Sequence, residues 1–280
     1  MNIFRLLLWP FRKPVQSAAP AKAAGAPDLT LEQYQALDPV IVVDGGGQEV
    51  VYATPNIYTK FRVDTLHTKE PDTIAWIAGF DRNDVFVDVG ANMGIYTIWA
   101  AKTRGMRVFA FEPESQNYAL LCKNIVLNGL SDRVTAYCLA ISDENAYSRL
   151  YLSSFRAGES CHSFGEKVDF RLQQREFTYS QGCVSATLDQ LVAGGVLPAP
   201  NHIKVDVDGL EHKVINGARA VLQGPSVRSV LVEINTNLEL HRNIINEMAA
   251  LGFRYSQAQV AVALRTTGAF AGVGNHVFSR

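Results

Sequence analysis

From residue 85 onward, short continuous apolar runs alternate with longer stretches of helical period. Val85–Val89 (VFVDV) is such a run, and helix character follows over Met93–Thr103. Arg107–Glu112 (RVFAFE) predicts the next strand, and SQNYALLCKNIVLNG predicts a helix closed by Asn128-Gly129. RVTAYCLAI predicts a third strand. His202–Val207 (HIKVDV), a helix over Leu210–Leu222, Ser229–Ile234 (SVLVEI) and a helix over Leu238–Leu251 extend the series. Two further strands are predicted around Phe253–Leu264 and Gly272–Phe278, with no helix between them, and so as an antiparallel pair. Strands that are apolar throughout and separated by helices predict a mostly parallel sheet covered on both faces, an α/β Rossmann-like fold.

Ahead of this series the pattern differs. LEQYQAL predicts a short helix, and VIVVDGGGQEVVYAT a hairpin turning at Asp44-Gly45-Gly46-Gly47. EPDTIAWIAGF predicts an amphipathic helix with Pro71 in its first turn. Residues 28–280 are thus expected to form the main domain, with the hairpin and helix over 28–80. The alternation stops between Ser153 and Gln181, where an insertion without sustained period fits a lid or binding loop. Residues 1–27 differ again: MNIFRLLLWPF is too short to span a bilayer, and SAAPAKAAGAP is an Ala/Pro linker. Phe4, Leu7, Leu8 and Phe11 share one helical face beside Arg5, Arg12 and Lys13. Residues 1–13 are therefore a candidate peripheral contact with a membrane face or a protein partner.

Composition narrows the function. A net charge of −1 gives no basic surface for nucleic acid. Four scattered cysteines without a CxxC pair suit a reducing, cytoplasmic setting rather than a zinc site or a disulfide framework.

In an open parallel sheet, ligands bind beyond the carboxyl ends of the strands. The first strand ends in Asp88-Val-Gly90-Ala91-Asn92-Met-Gly94, a G-x-x-x-G turn rather than the G-x-G-x-x-G of dinucleotide sites. Glu112 ends the second strand, 18 residues after Gly94, where an acid can accept hydrogen bonds from both ribose hydroxyls. Together they point to an adenosine-bearing ligand.

These segments, with CLAISD, ATLDQL and IKVDVDGLEHKVINGA, resemble the FkbM family of methyltransferases over roughly residues 70–234. The resemblance implies a class I methyltransferase fold, S-adenosylmethionine as cofactor, and O-methylation of a sugar or natural-product hydroxyl. It implies that Asp88, Gly90, Ala91, Asn92 and Gly94 line the methionine part of the cofactor and that Glu112 holds the ribose. Leu139, Ala140 and Ser142 would flank the adenine, and Glu70, in TKEP, would stand near the methionine end.

The remaining carboxylates are candidates for the chemistry. Asp206 and Asp208 in Lys204-Val-Asp206-Val-Asp208 are expected to share one strand face, with Glu211 and Glu233 on the same rim. The resembled family carries glutamate where this chain has Asp208. Asp206 is the residue expected to activate an acceptor hydroxyl, directly or through a divalent metal. His202, His212 and His241 are secondary candidates, and Cys161-His162 is discounted as a nucleophile pair because adjacency in sequence does not bring side chains into reach. The acceptor is expected to be a small molecule or glycan. Alternatives are a dinucleotide-dependent enzyme, against which the G-x-x-x-G turn argues, and a non-catalytic binding subunit, against which the intact acids argue.

Overall fold

A computed structural model describes residues 29–280; the expectations for residues 1–27 lie outside the described part. The chain divides into two compact units, Met1–Asp38 and Pro39–Arg280. The predicted short helix, α1 (Leu31–Ala36), belongs to the first unit. Thr30 caps it in a reciprocal box with Gln33, and it buries no residue of its own.

The second unit opens with the expected hairpin, β1 (Val40–Asp44) and β2 (Glu49–Ala53). Helix α2 (Ile57–Asp64) then appears where none was expected. It escapes periodicity because it buries Thr59 and Val63 while Ile57 and Phe61 face outward. Its legible signal is the capping box of Asn56 and Thr59. Next come α3 (Pro71–Ala78), β3 (Val85–Val89), α4 (Ile95–Arg104), β4 (Arg107–Phe111), α5 (Ser115–Leu127) and β5 (Val134–Tyr137). Alternate residues of the strands enter two cores. Phe86, Val108 and Ala110 pack toward the hairpin and α3–α5. Val85, Val87, Val89, Phe109 and Phe111 pack on the other face.

The predicted third strand is broken. After β5 the chain leaves the sheet, and β6 (Ala140–Ile141) pairs instead with β9 (Tyr179–Ala186). With β7 (Tyr147–Leu152) and β8 (Ser163–Phe164) these make a second sheet in the order β6-β9-β7-β8. The insertion is therefore the far half of a small sheet plus the loops it carries.

The series resumes with α6 (Leu188–Ala193) and β10 (His202–Val205). The helix expected over Leu210–Leu222 is two helices, α7 (Glu211–Asn216) and α8 (Arg219–Gln223). They part at Gly217, where a Cβ would lie 2.1 Å from the Ser142 carbonyl oxygen. Then follow β11 (Ser229–Asn235), α9 (Glu239–Ala250) and β12 (Arg254–Tyr255). Most of the predicted strand Phe253–Leu264 is helix, α10 (Gln257–Ala263), before β13 (Val273–Ser279).

The main sheet runs β12-β13-β11-β10-β3-β4-β5. Strands β5, β4, β3, β10 and β11 pair in parallel; β13 is antiparallel to β11 and to β12. The last strand thus inserts between β11 and β12, which separates this sheet from the six parallel strands of a dinucleotide fold. The order reverses between β3 and β10, and a crevice opens beyond their carboxyl ends.

Candidate active site

At that reversal, Asp206 N donates to the Val89 carbonyl as β10 ends. Gly90 follows β3 with φ +80°, and a Cβ there would lie 1.9 Å from the Asp206 carbonyl oxygen. Only glycine lets the two loops lie in contact. They floor a cavity of about 350 Å³, within the range of small-ligand sites.

At one end of the cavity Glu112 projects beyond β4. Its Oε2 accepts the Asn92 amide at 2.7 Å and its Oε1 the Glu114 amide at 2.9 Å. Each oxygen keeps a second lone pair for a hydroxyl. Burial raises the Glu112 pKa from 4.5 to about 7 although both amides oppose the rise. Pro113, Leu139, Ile141, Leu150 and Phe164 give this end an apolar lining, joined by Ala140 and Ser142. An acid with two free lone pairs beside an apolar slot fits an adenosine.

The other end is polar. Asp206, Asp208 and Glu233 line it, together with Arg62, Lys69 and Arg265. Lys204 is buried beneath, 3.0 Å from Asp206 and 3.9 Å from Asp88. Burial works against ionisation of Asp206, but Lys204 and Lys69 outweigh it and lower the pKa. Asp208 departs from the expectation. The strand stops at Val205, so the two aspartates do not share a strand face, and Asp208 adopts a left-handed φ of 57°. Its Oδ2 accepts the Cys161 amide at 2.7 Å. Burial, and then the charge of Asp206, raise its pKa to about 7. Glu233 is raised too, by burial and Asp206, against the pull of Arg265 at 2.9 Å.

A roof covers the crevice. The strap over residues 156–161 is held by Asn92 Nδ2 on the Glu159 carbonyl at 2.7 Å and by Asn117 Oδ1 accepting from Gly158 N at 2.7 Å. From α2, Arg62 Nε donates to the Gly158 carbonyl at 2.6 Å. Asn56 Nδ2 donates to Ala157 O at 2.9 Å.

A model of the FkbM methyltransferase domain matches residues 88–255. The chain belongs to the FkbM methyltransferase family. It is 26% identical over 200 residues to the hexuronic acid methyltransferase AglP of Haloferax volcanii, covering 71% of this chain and 76% of that protein. It is 29% identical over 173 residues to the 31-O-demethyl-FK506 methyltransferase FkbM of Streptomyces tacrolimicus, covering 54% and 65%. Among solved structures, methyltransferase FkbM from Methylobacillus flagellatus KT is similar at 16% identity and a TM-score of 0.47. That likeness covers 72% of this chain and 44% of the solved one.

In this FkbM methyltransferase, five of the predicted residues stand behind the cavity rather than in its lining. Asp88 is buried in β3, its Oδ2 accepting from Thr97 Oγ1 at 2.6 Å; burial raises its pKa against the pull of Lys204. Gly94 and Ala91 shape the turn. Glu70 accepts from Tyr96 Oη at 2.9 Å and backs Lys69 and Arg265. Glu211 binds its own loop, its Oε1 accepting from Val207 N at 2.9 Å and its Oε2 from Gly209 N at 3.0 Å.

The metal expectation also meets the geometry. Oxygens of Asp206, Glu211 and Glu233 lie within 4.8 Å of one another. However, Lys204 binds Asp206, Arg265 binds Glu233, and backbone amides take both oxygens of Glu211. A trio so compensated does not fit a resident cation.

His202, His212 and His241 are outside the lining as well. His241 spans Asn235 N and Gly209 O, and His202 spans Ser229 and Asp84. Burial holds the Cys161 thiol up at about 12 and the His162 imidazole down at about 4, the opposite of an activated pair. His162, discounted from sequence, does line the cavity, as do Tyr58, Phe61, Arg62, Lys69, Arg265 and Phe270, which were missed. Tyr58, Phe61 and Arg62 sit on the unpredicted helix, and Arg265 and Phe270 follow the segment misread as a strand.

Proposed function

We propose that this protein transfers the methyl group of S-adenosylmethionine to a hydroxyl of a glycan or of a glycosylated or polyketide product. The observation that carries the reading is one cavity with an adenosine-type end at Glu112 and a carboxylate–cation end at Asp206 and Asp208. When bound, the cofactor supplies an electrophilic methyl on a sulfonium. Glu112 would hold its ribose hydroxyls, Leu139–Ser142 its adenine, and the ionised Asp206 would balance its positive charge.

An acceptor hydroxyl needs a proton acceptor matched to working pH. Asp206, tied to Lys204 with a lowered pKa, is a weak base. Asp208, with its pKa near 7, fits that task better, and the proposed base moves from the former to the latter. Support for the acceptor class comes from the names of two relatives, which act on a hexuronic acid and on 31-O-demethyl-FK506.

The test is Asp208→Asn with radiolabelled S-adenosylmethionine and extracted glycans, run with and without a chelator. Turnover should fall by about 10²–10⁴-fold with unchanged cofactor Kd and no chelator effect. A folded wild type that binds neither S-adenosylmethionine nor its demethylated product in calorimetry would sink the reading.

No helix among the described residues is long and apolar enough to cross a membrane. A cytoplasmic protein with residues 1–13 touching a membrane face is part of the same proposal; deleting them should abolish flotation with anionic vesicles, and unchanged flotation would remove that contact.

A further inference from the structure

Three cations line the cavity, and two of them are matched by acids. Lys69 lies 3.0 Å from Glu70, and Arg265 lies 2.9 Å from Glu233. Arg62 is the exception. Among the described residues it has no carboxylate partner, and its one hydrogen bond runs from Nε to the Gly158 carbonyl. The terminal nitrogens of its guanidinium remain unengaged beside the cavity, and its charge is felt at both Asp206 and Asp208. A guanidinium fixed through Nε presents a planar fork suited to a carboxylate.

Its place identifies which carboxylate. Glu112 accepts the Asn92 amide, Asn92 Nδ2 holds the Glu159 carbonyl, and the neighbouring Gly158 carbonyl receives Arg62 Nε. Three short hydrogen bonds therefore join the ribose acid to Arg62 through the roof. A ligand whose ribose rested on Glu112 would have the polar end of the cavity left for its amino-acid arm. At that end the acids Asp206 and Asp208 line the floor, and Arg62 is the lining cation left without an acid of its own.

We infer that Arg62 is a cofactor-binding residue that pairs with the α-carboxylate of the methionine moiety, and that the same pairing pins helix α2 and the strap over the bound cofactor. The inference rests on the cofactor reading above. It divides the zwitterion between two walls, the ammonium on the floor acids and the carboxylate on the roof. Loss of cofactor then frees the one interaction between ligand and roof that carries full charge on both sides.

The experiment uses two ligands on the full chain by titration calorimetry. One is S-adenosylhomocysteine; the other is its decarboxylated analogue, which keeps the adenosine, the thioether and the ammonium. Wild type should prefer the first by about 10–100-fold, the range of a charge-assisted hydrogen bond. Arg62→Gln can still donate to the Gly158 carbonyl, so the roof should stay closed. Its affinity for the analogue should stay within about 3-fold of wild type, while the preference collapses to less than about 3-fold. Arg62→Lys, which keeps the charge but loses the fork, should recover part of the preference. Equal weakening of both ligands would overturn the inference and leave Arg62 as a roof anchor only. An intact preference in Arg62→Gln, with or without a raised acceptor KM, would overturn it too and assign the guanidinium elsewhere. Binding of neither ligand to wild type removes the cofactor reading itself, an outcome distinct from either.

Discussion

Replacing Glu112 by glutamine probes the cost of keeping a carboxyl buried for a ligand. In the free protein Glu112 is 5% exposed. Burial raises its pKa from 4.5 to about 7, opposed by the amides of Glu114 and Asn92. An acid whose folded pKa exceeds its unfolded one binds more protons in the folded state between those two values. Its stabilising contribution is full below 4.5 and is lost as the pH rises through about 7. That rise corresponds to about 3 kcal/mol at about 1.4 kcal/mol per unit. For a chain of this size it is a fall of about 6–12 °C in the thermal midpoint. Asp208 and Glu211, also raised to about 7, act in the same window with the same sign. Asp206 and Glu70 have lowered pKa values, so their stabilisation is lost only as pH falls below their ordinary 3.8 and 4.5.

Circular-dichroism melts at constant ionic strength, between about pH 5 and pH 8, read the effect. His162 and His202, held by burial at about 4 against an ordinary 6.5, act with the opposite sign up to about pH 6.5, so the Glu112 contribution is read as the difference between wild type and variant. Glu112→Gln should begin lower, because its amide NH₂ faces an N–H that the carboxylate had accepted, a cost of about 1–3 kcal/mol. Relative to wild type it should then lose less with rising pH, by the Glu112 share. S-adenosylhomocysteine, through its ribose hydroxyls, should favour the ionised acid and stabilise wild type more at the alkaline end. A variant whose midpoint changes with pH just as that of wild type does would refute the reasoning.

Gly90→Ala should cost more than about 2 kcal/mol in urea unfolding, since its φ of +80° is unfavourable and its Cβ would meet the Asp206 carbonyl oxygen; near-wild-type stability would show that the two loops can separate. Glu211→Gln should lose about 1–3 kcal/mol by leaving an amide of the Val207–Gly209 turn unpaired, and turnover should drop with little change in cofactor Kd. Full turnover would show that the loop's exact set does not matter to the chemistry.

What was legible in the chain follows from where the physics is local. Val85–Val89 is buried on both faces, so an unbroken apolar run marks it without ambiguity. The acids at strand ends are legible because topology, not side-chain packing, decides where a strand end lies. The small sheet was not legible: β7 has a mixed burial pattern, and its pairing with β9 joins Tyr147 to Val184 across a long excursion. Helix α2 was hidden because Ile57 and Phe61 face outward while Thr59 shares its buried face with Val63. The surroundings of Asp88 were not legible for a related reason. A strand residue's face is set by register against neighbours, and β3 turns that side chain toward Thr97 and Lys204.

The split of the cavity between the stretch matched to the family and its flanks bears on how specificity could diversify. The stretch matched to the family, 88–255, contributes Gly90, Glu112, Asp206 and Asp208. Tyr58, Phe61, Arg62 and Lys69 come before it, and Arg265 and Phe270 come after it. The flanks include Val85–Val87 of β3 and all of β13, but none of these six residues stands on a strand: three are on α2 and three lie between elements. Substitution at these positions can therefore reshape the mouth without disturbing the register of the parallel strands. Two chains could hold the same cofactor floor and yet admit different guests, with their divergence written in segments that a comparison of the shared stretch alone would pass over.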